Sequence, residues 1–438
     1  MNNYYPQITI IDDGINQNLY DTGELKHNIQ ITPELHIHER VGYDPFLPSH
    51  GTTCAAIIKK YAPEAVLSSV KILNDDSRKG MKTQLIRALE WCVENNIRLI
   101  NLSLGTIDYK DFIEVEKAVK YAWENGVIIV AACNNRNVFT CPASLENVIG
   151  VKCDTSGKLN GTEYIYNSFP PDGIDITACG IHDLVKYSGE SKVTSSCNSF
   201  AAPDVTALVY NIIKNNPNMG LYELKEVLKQ NSADSKHMEG SSYITNKSLK
   251  NKNYNIYINN SIEIPIIEVY NNYGNKIIGF YKNLTEKFRV DGYNAICICT
   301  EEADKDLCNG LISIYSHLND GKMSFDNIFF VKRIKLICSI YDPDIIIVPI
   351  DMTDDNRYVQ LKDVESDLEA DIKINIYENL DIEVMSTNEN DENNENYQTK
   401  KFNKSKAFTS DAKQIDDIYN YILNLFETNK ERTDTYET

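Results

Sequence analysis

Short apolar, β-branched runs alternate with amphipathic stretches through the first half of the chain. Gln7 to Ile11 reads as a buried strand stopped by the turn Asp12-Asp13-Gly14, and Ala65 to Leu73, Arg98 to Gly105 and Val127 to Ala132 repeat the pattern. Between them, Lys82 to Asn95 sets Leu85, Ala88, Leu89 and Cys92 at helical spacing, and Val115 to Trp123 reads as a second helix. Strands that alternate with helices predict a parallel, doubly wound α/β sheet whose chemistry gathers at the carboxyl ends of the strands. Helical runs from Val205 to Asn215 and from Leu221 to Gln230 complete a first domain over 1–235.

The pattern then breaks and restarts. Asn231 to Asn255 is rich in Ser, Asn and Lys, which predicts a linker over 236–255. A second, smaller α/β domain is expected over 256–386: strand Ile264 to Tyr270, helix Ile277 to Phe288, strand Asn294 to Thr300, helix Ile328 to Ile340 and strand Asp344 to Ile350. Its turn Asn271-Asn272-Tyr273-Gly274-Asn275-Lys276-Ile277 has one glycine and no Ser or Thr after Lys276, so it fails the phosphate-loop pattern. The layout resembles a degenerate P-loop-type domain, from which no nucleotide hydrolysis is expected, and an interaction domain is the plainer reading. The Asn- and Glu-rich stretch that follows predicts disorder over 387–410. An amphipathic helix over 411–428 then lines up Ile415, Ile418, Tyr419, Ile422 and Phe426 for docking on this chain or a partner.

Charge and cysteine usage narrow the setting. A net charge of -19 over 438 residues argues against nucleic acid or an anionic membrane as partner, because phosphates are repelled across most of the surface. No apolar run has the length of a membrane span, and Met1-Asn2-Asn3-Tyr4-Tyr5-Pro6 lacks the basic-then-apolar layout of a secretory signal. The 11 cysteines have no repeated spacing and an odd total, which fits reduced thiols in the cytoplasm. Cys297 and Cys299 are too close for the usual zinc spacing, and no metal or other cofactor is expected.

Four polar residues stand where a parallel sheet would bring them together. Asp12 ends the first strand, and His50 opens a helix in Ser49-His50-Gly51-Thr52-Thr53, where the helix dipole keeps an imidazole neutral. Asn135 lies in the polar loop after the fourth strand. Ser199 sits in Ser195-Ser196-Cys197-Asn198-Ser199-Phe200-Ala201-Ala202-Pro203, a polar turn feeding the apolar run from Val205. Taken singly, each has a plainer reading: turn aspartate, packing or capping histidine, Asn-rich turn, helix N-cap. His36 and His38, by contrast, alternate with apolar residues and read as strand surface.

Together these segments resemble the subtilisin-like serine proteases. Asp, then His, then Ser is that family's chain order. Ile10 to Ile15 resembles its Asp box, His50-Gly51-Thr52 its His box, and Asn198-Ser199-Phe200-Ala201-Ala202-Pro203 its Gly-Thr-Ser-Met-Ala-x-Pro box. Ile100 to Gly105 is similar to the strand that holds substrate backbone, and Val130 to Asn135 to the one ending in the oxyanion asparagine. The resemblance implies a subtilisin-like parallel-sheet, three-layer α/β/α domain followed by the second α/β domain. It makes Ser199 the nucleophile, His50 its base, Asp12 the orienting acid, and Asn135 with the Ser199 N–H the oxyanion donors. Ser103, Leu104 and Gly105 would pair with an extended peptide or unfolded protein, and Arg136 and Thr140 would rim the pocket for the residue before the cut, Arg136 favouring an acidic or polar residue.

Departures from the family sharpen these expectations. Cys197-Asn198 replaces Gly-Thr before the nucleophile, and the Asn198 amide is expected to take over the oxyanion support of the missing threonine. Lys59-Lys60-Tyr61-Ala62-Pro63 joins helix to strand without the calcium-binding insertion of secreted relatives, and the first strand begins too early for a pro-segment, so calcium-independent, unassisted folding is expected. The leading reading is a cytoplasmic endopeptidase that matures peptides by removing leader segments, its second domain binding a protein partner or mediating oligomerisation. General intracellular turnover and a peptide-binding pseudo-protease are the alternatives.

Overall fold

The computed structural model describes residues 6–74, 77, 79–167, 170, 172–233, 264–273, 277–299, 304–313, 334, 336–351, 370–386, 399–402 and 412–434. The chain divides into two compact units, Met1–Asn253 and Tyr254–Thr438. The expected linker at 236–255 and most of the expected disordered stretch at 387–410 lie outside the described residues, as does the centre of the Asn271–Ile277 turn.

In the first unit, seven strands run parallel in the order β2 (Asn28–Ile31), β4 (Val66–Lys71), β1 (Gln7–Asp12), β5 (Leu99–Leu102), β6 (Ile128–Ala132), β7 (Ile149–Cys153) and β9 (Ile176–Ala178). Antiparallel strands β3 (Ile37–Glu39) and β8 (Tyr164–Tyr166) close its edges. His36 and His38 lie on the exposed surface of the β3 edge, as their alternation predicts. A separate hairpin joins β10 (Asp183–Val185) to β11 (Ser191–Val193). Helices α1 (His50–Tyr61), α4 (Asn198–Ile213) and α5 (Leu221–Gln230) cover one face of the sheet, while α2 (Lys82–Glu94) and α3 (Tyr109–Glu124) pair on the other. Alternate residues of β1 serve the two layers, Ile8 and Ile10 packing under α1 and α4.

Two helices start earlier than their apolar runs suggest. α3 begins at Tyr109 because Asp108 caps it, its Oδ1 accepting the Lys110 N–H at 3.0 Å, so the polar residues 109–111 form its first turn. α4 begins at Asn198, not Val205, and carries Pro203 inside it. Ser199 is therefore in the first turn of this helix, not in a turn ahead of it.

The second unit builds its own sheet. Strands β12 (Ile266–Asn271), β13 (Ala295–Cys299), β14 (Leu311–Ser313), β15 (Ile345–Asp351) and β16 (Ile372–Ile376) run parallel in the order β14-β13-β15-β12-β16. Antiparallel strands β17 (Ile382–Ser386) and β18 (Thr399–Phe402) extend it. β18 corrects the expectation of disorder through 410: Lys401 pairs with Glu383 at 3.3 Å and Phe402 packs on the core, so charged composition concealed an edge strand. Helix α6 (Ile278–Val290) and helix α7 (Ala412–Asp434) cover one face of this sheet. The stripe Ile415, Ile418, Tyr419, Ile422 is buried there, so the terminal amphipathic helix belongs to the core of its own unit.

Candidate active site

Asp12 is the last residue of β1, where the strand gives way to a Gly14 turn with φ +100°, a conformation open to glycine. Helix α1 starts against that turn. Asp13 holds it there by accepting the His50 N–H at 2.9 Å and the Gly51 N–H at 2.8 Å, while Ser49 caps the Thr52 N–H at 3.2 Å and donates to the Gly14 carbonyl at 2.7 Å. Glycine at 51 is required for the approach, since a Cβ would stand 2.8 Å from the Gly14 carbonyl oxygen. Lys71, buried at the end of β4, donates to the Asp13 carbonyl at 2.9 Å and fixes the turn from the other side.

These constraints set His50 Nδ1 2.8 Å from Asp12 Oδ2 and His50 Nε2 3.0 Å from Ser199 Oγ. Asp12 is 1% exposed, so its carboxylate faces the imidazole and little water. The His50 imidazole is raised above its ordinary value, against burial, by a contribution that a Cys54 thiolate would lead and Asp12 follows, which corrects the expectation that the helix dipole keeps it neutral. Burial pushes the Cys54 thiol itself up and keeps it neutral, so the charge that acts is that of Asp12. Burial and the neighbouring Asp12 likewise raise Asp13, whose two backbone partners oppose the shift.

Ser199 is fixed from behind. Pro203 has no N–H for the carbonyl four residues earlier, which is that of Ser199, and the Ser103 hydroxyl donates to that carbonyl instead at 2.9 Å. Ser103 thus braces the nucleophile with its side chain, a role apart from its expected backbone pairing with substrate. The Phe200 ring stacks on the His50 imidazole at 5.2 Å, and the Phe200 carbonyl accepts from His182 Nε2 at 3.0 Å. Burial lowers His182 to about 4, so it stays neutral, donating at Nε2 and accepting the Tyr61 hydroxyl at Nδ1, 3.1 Å away. An aromatic residue in place of the box methionine was the sequence signal for this contact.

Asn135 completes the group. Its Oδ1 accepts the Asn198 N–H at 3.2 Å, which leaves Nδ2 as the donor for a ligand, and the Ser199 N–H in the first turn of α4 has no intrahelical acceptor. The Asn198 side chain does not take over oxyanion support. It is 4% exposed and fully used, accepting from the Cys153 N–H at 2.7 Å and donating to the Asn134 carbonyl at 2.9 Å and Asn137 Oδ1 at 3.2 Å. A longer amide in place of threonine ties α4 to β7 and to the loop that carries Asn135.

A cavity of about 430 Å³ opens on this cluster, lined by Asp12, His50, Ser103, Leu104, Gly105, Asn135, Thr140 and Ser199 among others. Thr140 is 2% exposed, and its hydroxyl bonds the Asn134 N–H at 3.0 Å and the Val138 carbonyl at 2.8 Å, so it shapes the loop from beneath. Arg136 is exposed and does not line the cavity, so nothing in its position supports the expected preference for an acidic residue.

The sequence profile of the subtilase family matches residues 6–255, more than half of the chain. The chain belongs to the subtilase family. Subtilisin BL of Lederbergia lenta is 28% identical over 233 residues, which is 49% of this chain and 82% of the relative. The thermostable alkaline protease of Halalkalibacterium halodurans is 27% identical over 238 residues, 50% of this chain and 63% of that one. Among solved structures, a cold-adapted subtilisin-like serine proteinase has a TM-score of 0.43 at 22% identity, covering 54% of this chain and 87% of its own. By the family profile and these sequence relatives, the subtilase unit is that of a serine peptidase, a hydrolase. In it, α1 passes to β4 through residues 62–65 alone, the connection whose brevity the sequence shows. All 11 cysteines are unpaired. Among the described residues, no helix is long and apolar enough to cross a membrane.

Proposed function

We propose that this subtilase is a working endopeptidase in which Ser199 attacks the peptide carbonyl, His50 takes the hydroxyl proton and returns it to the leaving amine, and Asp12 holds the imidazole in the tautomer that permits this. The observation that carries the reading is the continuous hydrogen-bonded line Asp12–His50–Ser199, at 2.8 and 3.0 Å. Asn135 Nδ2 and the Ser199 N–H supply two donors for the oxyanion. Substrate is an extended peptide lying along Ser103, Leu104 and Gly105, which favours unfolded segments.

The finer proposal is cytoplasmic removal of leader segments from peptides, with the second unit recruiting the substrate or a partner. Unpaired cysteines support the compartment, and the appended α/β unit supports a restricted substrate set over general turnover. A fluorophosphonate probe tests the chemistry: labelling is expected in the native protein and absent in Ser199→Ala, and absence from both leaves a peptide-binding pseudo-protease. Peptides trapped on Ser199→Ala from cytoplasm test the role. A collection of fragments from many unrelated proteins would favour turnover.

A further inference from the structure

Phe200 follows the nucleophile in α4, and its ring lies nearly flat against the His50 imidazole, with centroids 5.2 Å apart and planes inclined by 18°. The hydrolytic reading uses only the edge of the imidazole, Nδ1 toward Asp12 and Nε2 toward Ser199. Its face has no assigned part. We propose that Phe200 is a positioning residue whose π-face stabilises the positive charge His50 acquires on taking the Ser199 proton, and that His182 braces that ring. This charge arises only if His50 is the base, so the inference rests on that assignment.

An aromatic ring carries negative potential over its face and attracts a cation within about 6 Å of its centroid. The attraction is weak for neutral imidazole and full for imidazolium, so it favours the transition state over the resting enzyme. A leucine in the same place would fill the space and supply none of this. The surroundings give the contact weight. The imidazole side chain is 22% exposed, so little water reaches it to solvate the charge. The titratable groups around it are Asp12 and Asp13 at the end of β1, Cys54 on α1 and Cys197 at the start of α4. Asp12 and Cys54 approach Nδ1 at 2.8 and 3.7 Å, Asp13 is bonded to the His50 backbone N–H, and Cys197 Sγ lies 3.2 Å from Ser199 Oγ. Among the described residues, Phe200 supplies the stacked contact.

The ring is held at both ends. Its side chain packs on the small cluster of Tyr20, Ala56, Ile57 and Leu184. At its backbone, the carbonyl accepts from His182 Nε2 at 3.0 Å, and the Tyr61 hydroxyl donates to His182 Nδ1 at 3.1 Å, which fixes the tautomer. Burial keeps His182 neutral, so the brace brings no second cation toward His50.

The test replaces Phe200 in the full chain by 4-fluoro-, 3,5-difluoro- and pentafluorophenylalanine, which drain the face of negative potential stepwise at nearly constant shape. In Ser199→Ala protein, the His50 Cε1–H resonance followed against pH reports the imidazole whether or not the chain hydrolyses peptides. Its midpoint is expected to fall at each step, by about one pH unit in all, the scale of a cation–π contact shielded from water. With Ser199 present, the acid limb of kcat/KM should move to lower pH in parallel, and kcat should fall about 10-fold at the pentafluoro ring. His182→Ala should give part of the same fall in midpoint beside Phe200 and none beside Phe200→Leu, and His182→Gln, which keeps a donor, should restore it. Falling midpoints in a chain without peptidase activity would uphold the contact and overturn the hydrolytic reading instead. Midpoints that stay fixed along the fluorinated series, or a His182→Ala shift of equal size in both backgrounds, overturn the proposal.

Discussion

Asp204 stands one residue after Pro203 in α4, 3% exposed, with its Oδ1 lacking a hydrogen-bond partner. Burial pushes its carboxyl up to about 8, and the charge of Lys60 offsets only part of the shift. The folded state therefore holds a proton that the unfolded chain releases near its ordinary value of 3.8. Between those two values the unfolded state binds fewer protons, so stability falls as pH rises. Asp204→Asn, which keeps the shape and removes the titration, should melt at a higher temperature than the native protein at pH 8 and nearly the same at pH 4. A gain of 1 kcal/mol corresponds to roughly 2–4 °C for a unit of this size. Equal melting shifts at both pH values would show that burial does not hold the proton there. Asn135 makes the other residue-scale case. Asn135→Leu removes one oxyanion donor and should lower kcat about 10²- to 10³-fold, a magnitude established on subtilisin itself, with KM little changed.

At the scale of the element, α4 shows how a departure from a family box is absorbed. Its first turn offers N–H groups that the helix cannot use; Asn198 spends one on Asn135, and its own amide spans from Cys153 to Asn134 and Asn137. Asn198→Ala orphans the buried Cys153 N–H, at about 1–3 kcal/mol for an unsatisfied buried group, and takes one of two donors from the Asn134 carbonyl, which keeps the Asn137 N–H at 2.8 Å. Thermal unfolding should report that loss, and kcat should fall with it because the loop bearing Asn135 is released. Unchanged kcat in a destabilised variant would separate the two roles. Much of this site was legible in the sequence, because Asp12, His50, Asn135 and Ser199 each sit in a short stretch whose order identifies it. What was not legible is what those side chains lean on. The start of α4 at Asn198 is hidden by a proline that reads as a helix boundary, although here it frees the Ser199 carbonyl for Ser103. The clamp of Asp13 on α1 and the neutral His182 are contacts between residues far apart in the chain, and no local pattern encodes them, whereas the stack of Phe200 on His50 had a signal in the aromatic residue of the box but none for its partner. Strands of three residues, such as β8 and β9, are too short for periodicity to register.

At the scale of the whole molecule, each unit closes a core from its own residues. The subtilase unit buries α1, α4 and α5 against its sheet, whereas the second unit buries Phe280, Phe288, Ile418, Tyr419 and Ile422 against strands β12, β13, β15, β16 and β17. The helix α7 is central to that second core: Ile418 is 0% exposed, and the Tyr419 ring meets that of Phe288 at 4.8 Å. Its apolar stripe had left open docking on this chain or on a partner, and the structure shows the first, because an amphipathic stripe alone does not say which core it enters. If the cores are thermodynamically separate, damage to one should leave the other intact. Ile418→Ala removes three heavy atoms from a fully buried site and should cost the second unit about 2–5 kcal/mol. Calorimetry of the full chain should then show one transition moved to lower temperature and the other unmoved. Fluorophosphonate labelling of Ser199 should continue up to the unmoved transition. A joint shift of both transitions would mean that the second unit stabilises the peptidase, and its removal would then be a means of control over hydrolysis.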